Sequence, residues 1–422
     1  MIQRPKGTED ILPSEVYKWR FIEKTAERIA AAYGFTEIRF PVFEYTELFT
    51  RSVGDTTDVV TKEMYTFSDK GGRSITLRPE GTAGAVRAAL QNGLLSETLP
   101  QKVWYNITAY RYENVQKGRQ REFHQIGAEM FGAGGYFADA EVIAFAADFI
   151  AALGLRDIAL EINSIGCPEC RKNYTAALRT YFEKFTDKLC ATCNERLVKN
   201  PMRILDCKSP VCKEIAAGAP LVSDFLCDDC NTHFDGLKTV LDSFGIPYKV
   251  NPHIVRGLDY YTRTVFEFIS EGVGTQGTVC GGGRYDRLIE EIGGKPTPAL
   301  GFAMGIERLL LALKEQNVEI PKPPRLDYYI GAMDEESRIY AAGIVRKLRS
   351  WGYIAESDLM ERGVKPQMKY ADKLGAKFSF IIGENEMSSG KIRLKKMETG
   401  ETTELSIGDL KNFALGSGEE DK

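Results

Sequence analysis

Between Arg111 and Phe131 the chain reads RYENVQKGRQREFHQIGAEMF, two extended runs separated by a polar loop from Asn114 to Gln120. Strand side chains alternate between faces, so Arg111 and Glu113 share one face, as do Arg121, Phe123, Gln125, Gly127 and Glu129 on the return run. That face gathers guanidiniums, carboxylates, an amide and an aromatic ring, with a glycine leaving space among them. Guanidinium binds phosphate or carboxylate through forked donors and a permanent charge. Burying so many polar groups is costly unless each is paired, which points to a bound polar ligand. A solvated sheet face with surface ion pairs is the competing reading. The opposite face carries Tyr110, Ile126, Ala128 and Met130, residues suited to packing under a helix.

These residues must be positioned by a chain of 422 residues, long enough for two or three domains at about 150 residues each. Glu15 to Tyr33 has the pattern of an amphipathic helix capped by Ser14 and stopped by Gly34, followed by an extended run from Phe35 to Phe40. Met64 to Ser68 and Ser74 to Arg78 read as a hairpin around Asp69-Lys70-Gly71-Gly72. Thr82 is placed to cap a helix through Leu90, and helical periodicity returns from Asp139 to Leu153. Strand-like chain resumes at Thr264 to Ile269 and Gly277 to Cys280, and Pro298 to Met304 leads through Gly305 into a helix from Ile306 to Lys314. Beyond the stiff stretch Pro321 to Pro324, strands and helices alternate, which argues a separate α/β domain of about 90 residues.

Five segments, in order and spacing, resemble the class II aminoacyl-tRNA synthetases, and the histidyl-tRNA synthetase family in particular, across nearly the whole chain. GFTEIRFPVFE at Gly34 to Glu44 looks like the first motif, used for dimerisation. RYE at Arg111 to Glu113 with REFHQIG at Arg121 to Gly127 resembles the second, and GFAMGIERLL at Gly301 to Leu310 the third. LRPEGT at Leu77 to Thr82 and RGLDYY at Arg256 to Tyr261 are similar to the histidine-specific segments. The resemblance implies an α+β catalytic core over residues 1–325, a mainly antiparallel sheet flanked by helices, with a cysteine-rich helical insertion at about 167–241. A C-terminal α/β anticodon-binding domain over 326–415 and a flexible tail at 416–422 complete it. It further implies a homodimeric, cytoplasmic ligase. Histidine and ATP give histidyl-adenylate and pyrophosphate, and histidine then passes to the 3′ end of histidine tRNA.

By the same resemblance, Arg111 and Arg256 are the two α-phosphate arginines and, with Gln125, the catalytic set. Arg308 holds the γ-phosphate, Phe123 stacks on adenine with Glu113 beside its amino edge, and Arg121 completes the ATP site. Mg²⁺ is expected between phosphate oxygens, which hard cations prefer. Glu129 and Tyr261 read the two imidazole nitrogens, with Tyr285 as helper, while Glu80, Thr82 and Gln125 take the α-ammonium and carboxylate. The physical requirement is plain: activation brings two anions together, so fixed cations must stabilise the growing phosphoryl charge. The second-motif loop departs from the family's ERPQKGR, with Asn114-Val115 in place of Arg-Pro, which implies a changed contact with ATP or the tRNA acceptor end.

Composition narrows the remaining possibilities. The N-terminus lacks a secretory signal, and the most apolar stretches, Val142 to Leu155 and Ala299 to Leu313, carry charges and fall short of a membrane span. Nine cysteines without a signal should be reduced thiols or metal ligands. The pairs Cys167/Cys170, Cys190/Cys193 and Cys227/Cys230, with Cys207/Cys212, have spacing that could serve one or two Cys₄ zinc sites. Thiols in a tolerant insertion are the alternative, and spacing alone assigns no residue as a metal ligand. His124, His233 and His253 are too scattered for a metal cluster; His124 faces away from Phe123 and Gln125, toward a packing role.

A formal charge of −4 argues against bulk electrostatic binding of nucleic acid. Local patches change that inference. Residues 362–377 hold five basic residues against one acidic, and Lys365, Lys369 and Lys373 recur on one helical face after Arg362. A solvated helix face accounts for that spacing equally well, but the segment resembles the family's anticodon-binding domain. Two rival readings are a regulatory subunit of ATP phosphoribosyltransferase, which lacks the C-terminal domain, and a tRNA sensor, for which no effector region is attached.

Overall fold

The computed structural model describes residues 1–54, 57–254, 256, 258–270, 277–323, 326–411 and 413, so the expected tail at 416–422 lies outside the described residues. The chain divides into two units, Met1–Pro321 and Lys322–Lys422. Strands of the first unit are β1 (Thr36–Glu37), β2 (Phe43–Tyr45), β3 (Thr66–Ser68), β4 (Ser74–Leu77), β5 (Gln101–Tyr110), β6 (Glu122–Phe131), β7 (Ile158–Ser164), β8 (Lys249–Val250), β9 (Thr262–Ser270), β10 (Thr278–Arg284) and β11 (Ala299–Gly305). An eight-stranded sheet runs β1-β5-β6-β11-β10-β9-β7-β8, and β2-β4-β3 form a smaller one. Its edge pairs β1–β5 and β7–β8 are parallel, and the five pairs between them are antiparallel.

Period-two patterning decides which face does what. Ile126, Ala128 and Met130 point to one side of β6, where they pack with Phe302 and Met304 under Ile22, Phe145, Leu241 and Leu309 from four helices. These helices are Val16–Ala32, Tyr136–Ala152, Asp228–Phe244 and Ile306–Glu315. Each of the larger side chains contributes roughly 1.5–3 kcal/mol by leaving water, and the polar residues of β6 are thereby committed to the opposite face.

Local chemistry agrees with most elements and revises some. The β3–β4 turn is closed by Asp69, whose Oδ1 accepts from the Gly71 and Arg73 amides at 2.8 and 2.9 Å. The first helix carries no side-chain cap; the amides of Glu15 and Val16 donate to the Leu12 carbonyl, so Ser14 does not serve as its cap. The extended run expected over Phe35–Phe40 pairs only at Thr36–Glu37, and after Pro41 the chain joins the small sheet as β2. Proline offers no amide for continuing the ladder. Within the insertion, the helices Pro168–Phe182, Ala191–Lys199 and Pro210–Ala217 share a small core of Tyr174, Leu178, Phe182, Leu197 and Ile204.

The second unit has a sheet ordered β13-β12-β14-β15-β16, namely β12 (Tyr328–Ala332), β13 (Ala355–Ser357), β14 (Phe378–Ile382), β15 (Lys391–Lys396) and β16 (Thr402–Ser406). The first three strands are parallel, as their helical crossovers require, and the last two antiparallel. Asp334 and Ser337 form a reciprocal capping box on the helix Glu335–Ser350. In the helix Val364–Lys373, Gln367 is buried and bonds both backbone groups of Ala332, at 2.9 and 2.8 Å. Lys365, Lys369 and Lys373 are exposed.

Candidate active site

The uncovered face of β6, β10 and β11 floors a cavity of about 800 Å³, walled by the segments around Glu80, Arg111 and Arg256 and by the insertion. Its lining includes Glu80, Thr82, Arg111, Glu113, Phe123, Gln125, Arg256, Tyr261, Tyr285 and Arg308. Sequence positions almost 230 residues apart therefore converge on one cavity, because β6 pairs directly with β11 and β11 with β10.

Glu129 is fully buried and does not itself line the cavity; it contacts Thr82 and Tyr285, which do. Its Oε1 accepts from Thr82 Oγ1 at 2.8 Å and Tyr105 OH at 2.9 Å, and its Oε2 from the Tyr285 hydroxyl. Burial pushes the carboxyl up to about 8, more than these three donors can offset. Glycines make this cluster possible. A Cβ on Gly81 or Gly127 would stand 2.3 Å from the Tyr105 ring, and one on Gly301 would overlap Glu129 Oε2. The space left by Gly127 thus belongs to Tyr105, the residue opposite it in the β5–β6 register. Glu80 caps the helix Thr82–Gln91, accepting from the amides of Thr82 and Ala83 at 2.7 and 2.9 Å. Thr82 is not that cap, since its hydroxyl is committed to Glu129.

Basic groups surround the upper cavity. Arg111 donates through Nε to the Pro79 carbonyl at 2.7 Å, and its guanidinium lies 5.4 Å from the Phe123 ring centre. Arg256 pairs with Glu267, which also accepts from Thr278 Oγ1 at 3.0 Å, and lies 5.7 Å from the Tyr261 ring centre. Arg308, in the first turn of Ile306–Glu315, donates to the Thr278 carbonyl. Burial and then the like charge of Arg119 lower its pKa, so an anion here relieves an existing repulsion. On the cavity, Gln125 Oε1 and Arg256 Nε are buried and have no hydrogen-bond partner among the described residues.

Arg121 reaches this site only through Glu113, whose carbonyl accepts from its Nε at 3.4 Å. Its guanidinium lies 3.7 Å from the Tyr112 ring centre, and it is not among the cavity-lining residues. Arg119, two positions earlier in the loop, lines the cavity and donates to Glu113 Oε2 at 3.0 Å. The loop breaks strand alternation before β6 begins, so parity could not distinguish these arginines. Tyr105, Tyr260, Glu63 and Glu267 also escaped the sequence reading; Glu267 faces Gly281 across β9–β10, a register that only pairing reveals. His124 is packed as expected, edge-on to Trp19 at 4.8 Å and 2.9 Å from Glu307 Oε1.

Comparison with known proteins gives a consistent result. The family profile described as "Histidyl-tRNA synthetase" matches residues 7–169 and 220–309, and that of an "Anticodon binding domain" matches 327–416. The histidine–tRNA ligase of Acetivibrio thermocellus is 58% identical over 410 residues, spanning 97% of this chain and 98% of that protein. That of Clostridium novyi is 56% identical over 413 residues, 98% of each. The crystal structure of apo S. aureus histidyl-tRNA synthetase superposes with a TM-score of 0.84 at 40% identity, covering 98% of this chain and 99% of that one. With a cavity assembled from the expected segments, a second unit of anticodon-binding type and relatives matched end to end, this chain belongs to the histidyl-tRNA synthetase family.

Proposed function

We propose that the cavity joins the carboxylate of histidine to the α-phosphorus of ATP, releasing pyrophosphate, and that the 3′-terminal hydroxyl of histidine tRNA then attacks the adenylate carbonyl, releasing AMP. The observation that carries this reading is that Gln125 Oε1 and Arg256 Nε are buried on the same cavity with no hydrogen-bond partner among the described residues. A buried acceptor suits an ammonium and a buried guanidinium donor suits a phosphoryl oxygen. The nucleophile is already a carboxylate, so activation needs no general base. Arg111 and Arg256 stabilise charge on the α-phosphate, Arg308 orients the terminal phosphates, and Phe123 presents its ring to adenine. Arg119, with Glu113, takes the place among the ATP ligands that Arg121 does not reach. Glu129, Tyr261 and Tyr285 read the imidazole, and Glu80 fixes the helix start that carries Thr82. Glu113 and Glu267 offer hard oxygen donors where Mg²⁺ would sit beside the phosphates, and the ion would neutralise their charge.

Histidine-dependent ATP–pyrophosphate exchange followed by charging of purified tRNA tests the reading; absence of exchange in the intact protein would reject it. A regulatory or sensing relative would bind ligands without exchanging pyrophosphate.

Space at Gly281 is required for Arg256: an alanine Cβ would stand 2.2 Å from its Nη2, with the other close atoms also in that guanidinium. Gly281→Ala is expected to displace the charge and lower exchange kcat by about 10²-fold, with thermal unfolding nearly unchanged. Unchanged kcat would refute this placement.

Anticodon recognition falls to the second unit. Changing Lys365, Lys369 and Lys373 together to Gln should weaken tRNA binding and reduce the slope of log K against log salt by about three. Exchange should remain intact, and an equal loss in both assays would contradict the assignment. Homodimerisation through the first-motif region is supported by the exposed apolar groups Val42, Phe43 and Tyr45 around β2. A cytoplasmic location fits the role in translation, and no helix among the described residues is long and apolar enough to cross a membrane.

A further inference from the structure

Eight of the nine cysteines assemble into two groups of four, Cys167, Cys170, Cys227 and Cys230, and Cys190, Cys193, Cys207 and Cys212. Within each group all four sulfurs lie within 4.8 Å of one another. Tetrahedral zinc at about 2.3 Å from each thiolate places neighbouring sulfurs about 3.8 Å apart. The Cys167–Cys170 and Cys190–Cys207 sulfurs are separated by 3.5 and 3.9 Å. All eight are free thiols, whereas a disulfide would require about 2.05 Å. From this geometry we propose that the chain carries two closed, structural Zn(Cys)₄ sites in its insertion.

Local structure prepares both sites in the same way. Cys170, Cys193, Cys212 and Cys230 each occupy the third residue of a helix, and Cys167, Cys190 and Cys227 precede the first residue of theirs. Free amides and the positive end of a helix favour thiolate there. One amide already faces a sulfur across each group, Cys227 N to Cys170 Sγ at 3.1 Å and Cys190 N to Cys212 Sγ at 3.3 Å. Such outer contacts orient thiolate ligands. Simple core packing explains the buried members but not Cys227, which is exposed, or the partly exposed Cys167, Cys190 and Cys207.

The two sites would act at different points. The first joins the chain leaving β7 to the helix that returns to the main core, so it closes the insertion at its base. The second has Cys190 and Cys207 in the cavity wall, beside Arg196 and Lys208. A metal there would fix that wall, while insertion helices with only a small shared core gain stability from the bound ion.

Full-length, untagged protein from zinc-supplemented culture should contain about two zinc ions per chain by elemental analysis. Cys167→Ser with Cys230→Ser should remove one, and Cys193→Ser with Cys212→Ser the other. Mercurial titration of the native protein should release zinc in step with thiol modification, a readout independent of variant folding. Cobalt exchange should give the visible bands of tetrahedral thiolate-bound cobalt. Zinc below about 0.3 per chain, with the eight cysteines titrating as free thiols or recovered as disulfides, would overturn the proposal.

Discussion

Replacing Arg256 by glutamine is expected to lower kcat for histidine-dependent ATP–pyrophosphate exchange by about 10³-fold or more, with a much smaller change in histidine KM. The guanidinium is half-buried against Glu267 and Tyr261, yet its buried Nε has no hydrogen-bond partner among the described residues. A donor held in that state is preorganised for charge that appears only as the carboxylate approaches phosphorus, so its removal should weigh on the transition state. Losing the arginine also leaves the Glu267 carboxylate with a diminished set of partners, which costs stability. Thermal unfolding separates the two effects: Arg256→Gln with Glu267→Gln should recover much of the lost stability and none of the rate. A KM effect with preserved kcat would move Arg256 from catalysis to ground-state binding.

Glu129→Gln should reduce kcat/KM for histidine by about 10²-fold or more, because an amide NH₂, which only donates, would replace one of the carboxyl oxygens that now accept from Thr82, Tyr105 and Tyr285 in a fully buried site. The same substitution should change how stability depends on pH. Burial holds the folded carboxyl at about 8, against about 4.3 in an unfolded chain. Between these values the folded state binds one proton more than the unfolded state, so stability falls as pH rises. The contribution is fully present below the unfolded value and is lost as pH passes through about 8. In Glu129→Gln that slope disappears, so the variant's melting temperature should gain on the parent between about pH 5 and 8.5. Parallel profiles would show that Glu129 is ionised throughout.

Much of the catalytic half was legible beforehand because alternation along a strand is local. Once Phe123 to Glu129 form β6, Phe123, Gln125, Gly127 and Glu129 must share a face, whatever the rest of the chain does. Motif order supplied Arg256, Tyr261, Tyr285 and Arg308 at positions that indeed reach the cavity or its base. The same logic does not extend to Arg121, which precedes β6 in a loop without a period, lies against the Tyr112 ring and is not among the cavity-lining residues. It failed at Thr82, whose favourable capping chemistry lost to a buried carboxylate needing donors.

Sequence by itself therefore determined the face on which polar residues gather, the order of the elements and the kind of chemistry that arginines, glutamates and tyrosines in those segments support. Only tertiary structure decided which groups satisfy one another: Tyr105 filling the space of Gly127, Glu267 holding Arg256, and Cys167 facing Cys227 rather than Cys190. Alternation and helix capping are set within a few residues by backbone geometry. Partnership across the fold depends on strand register and packing, which no local pattern encodes.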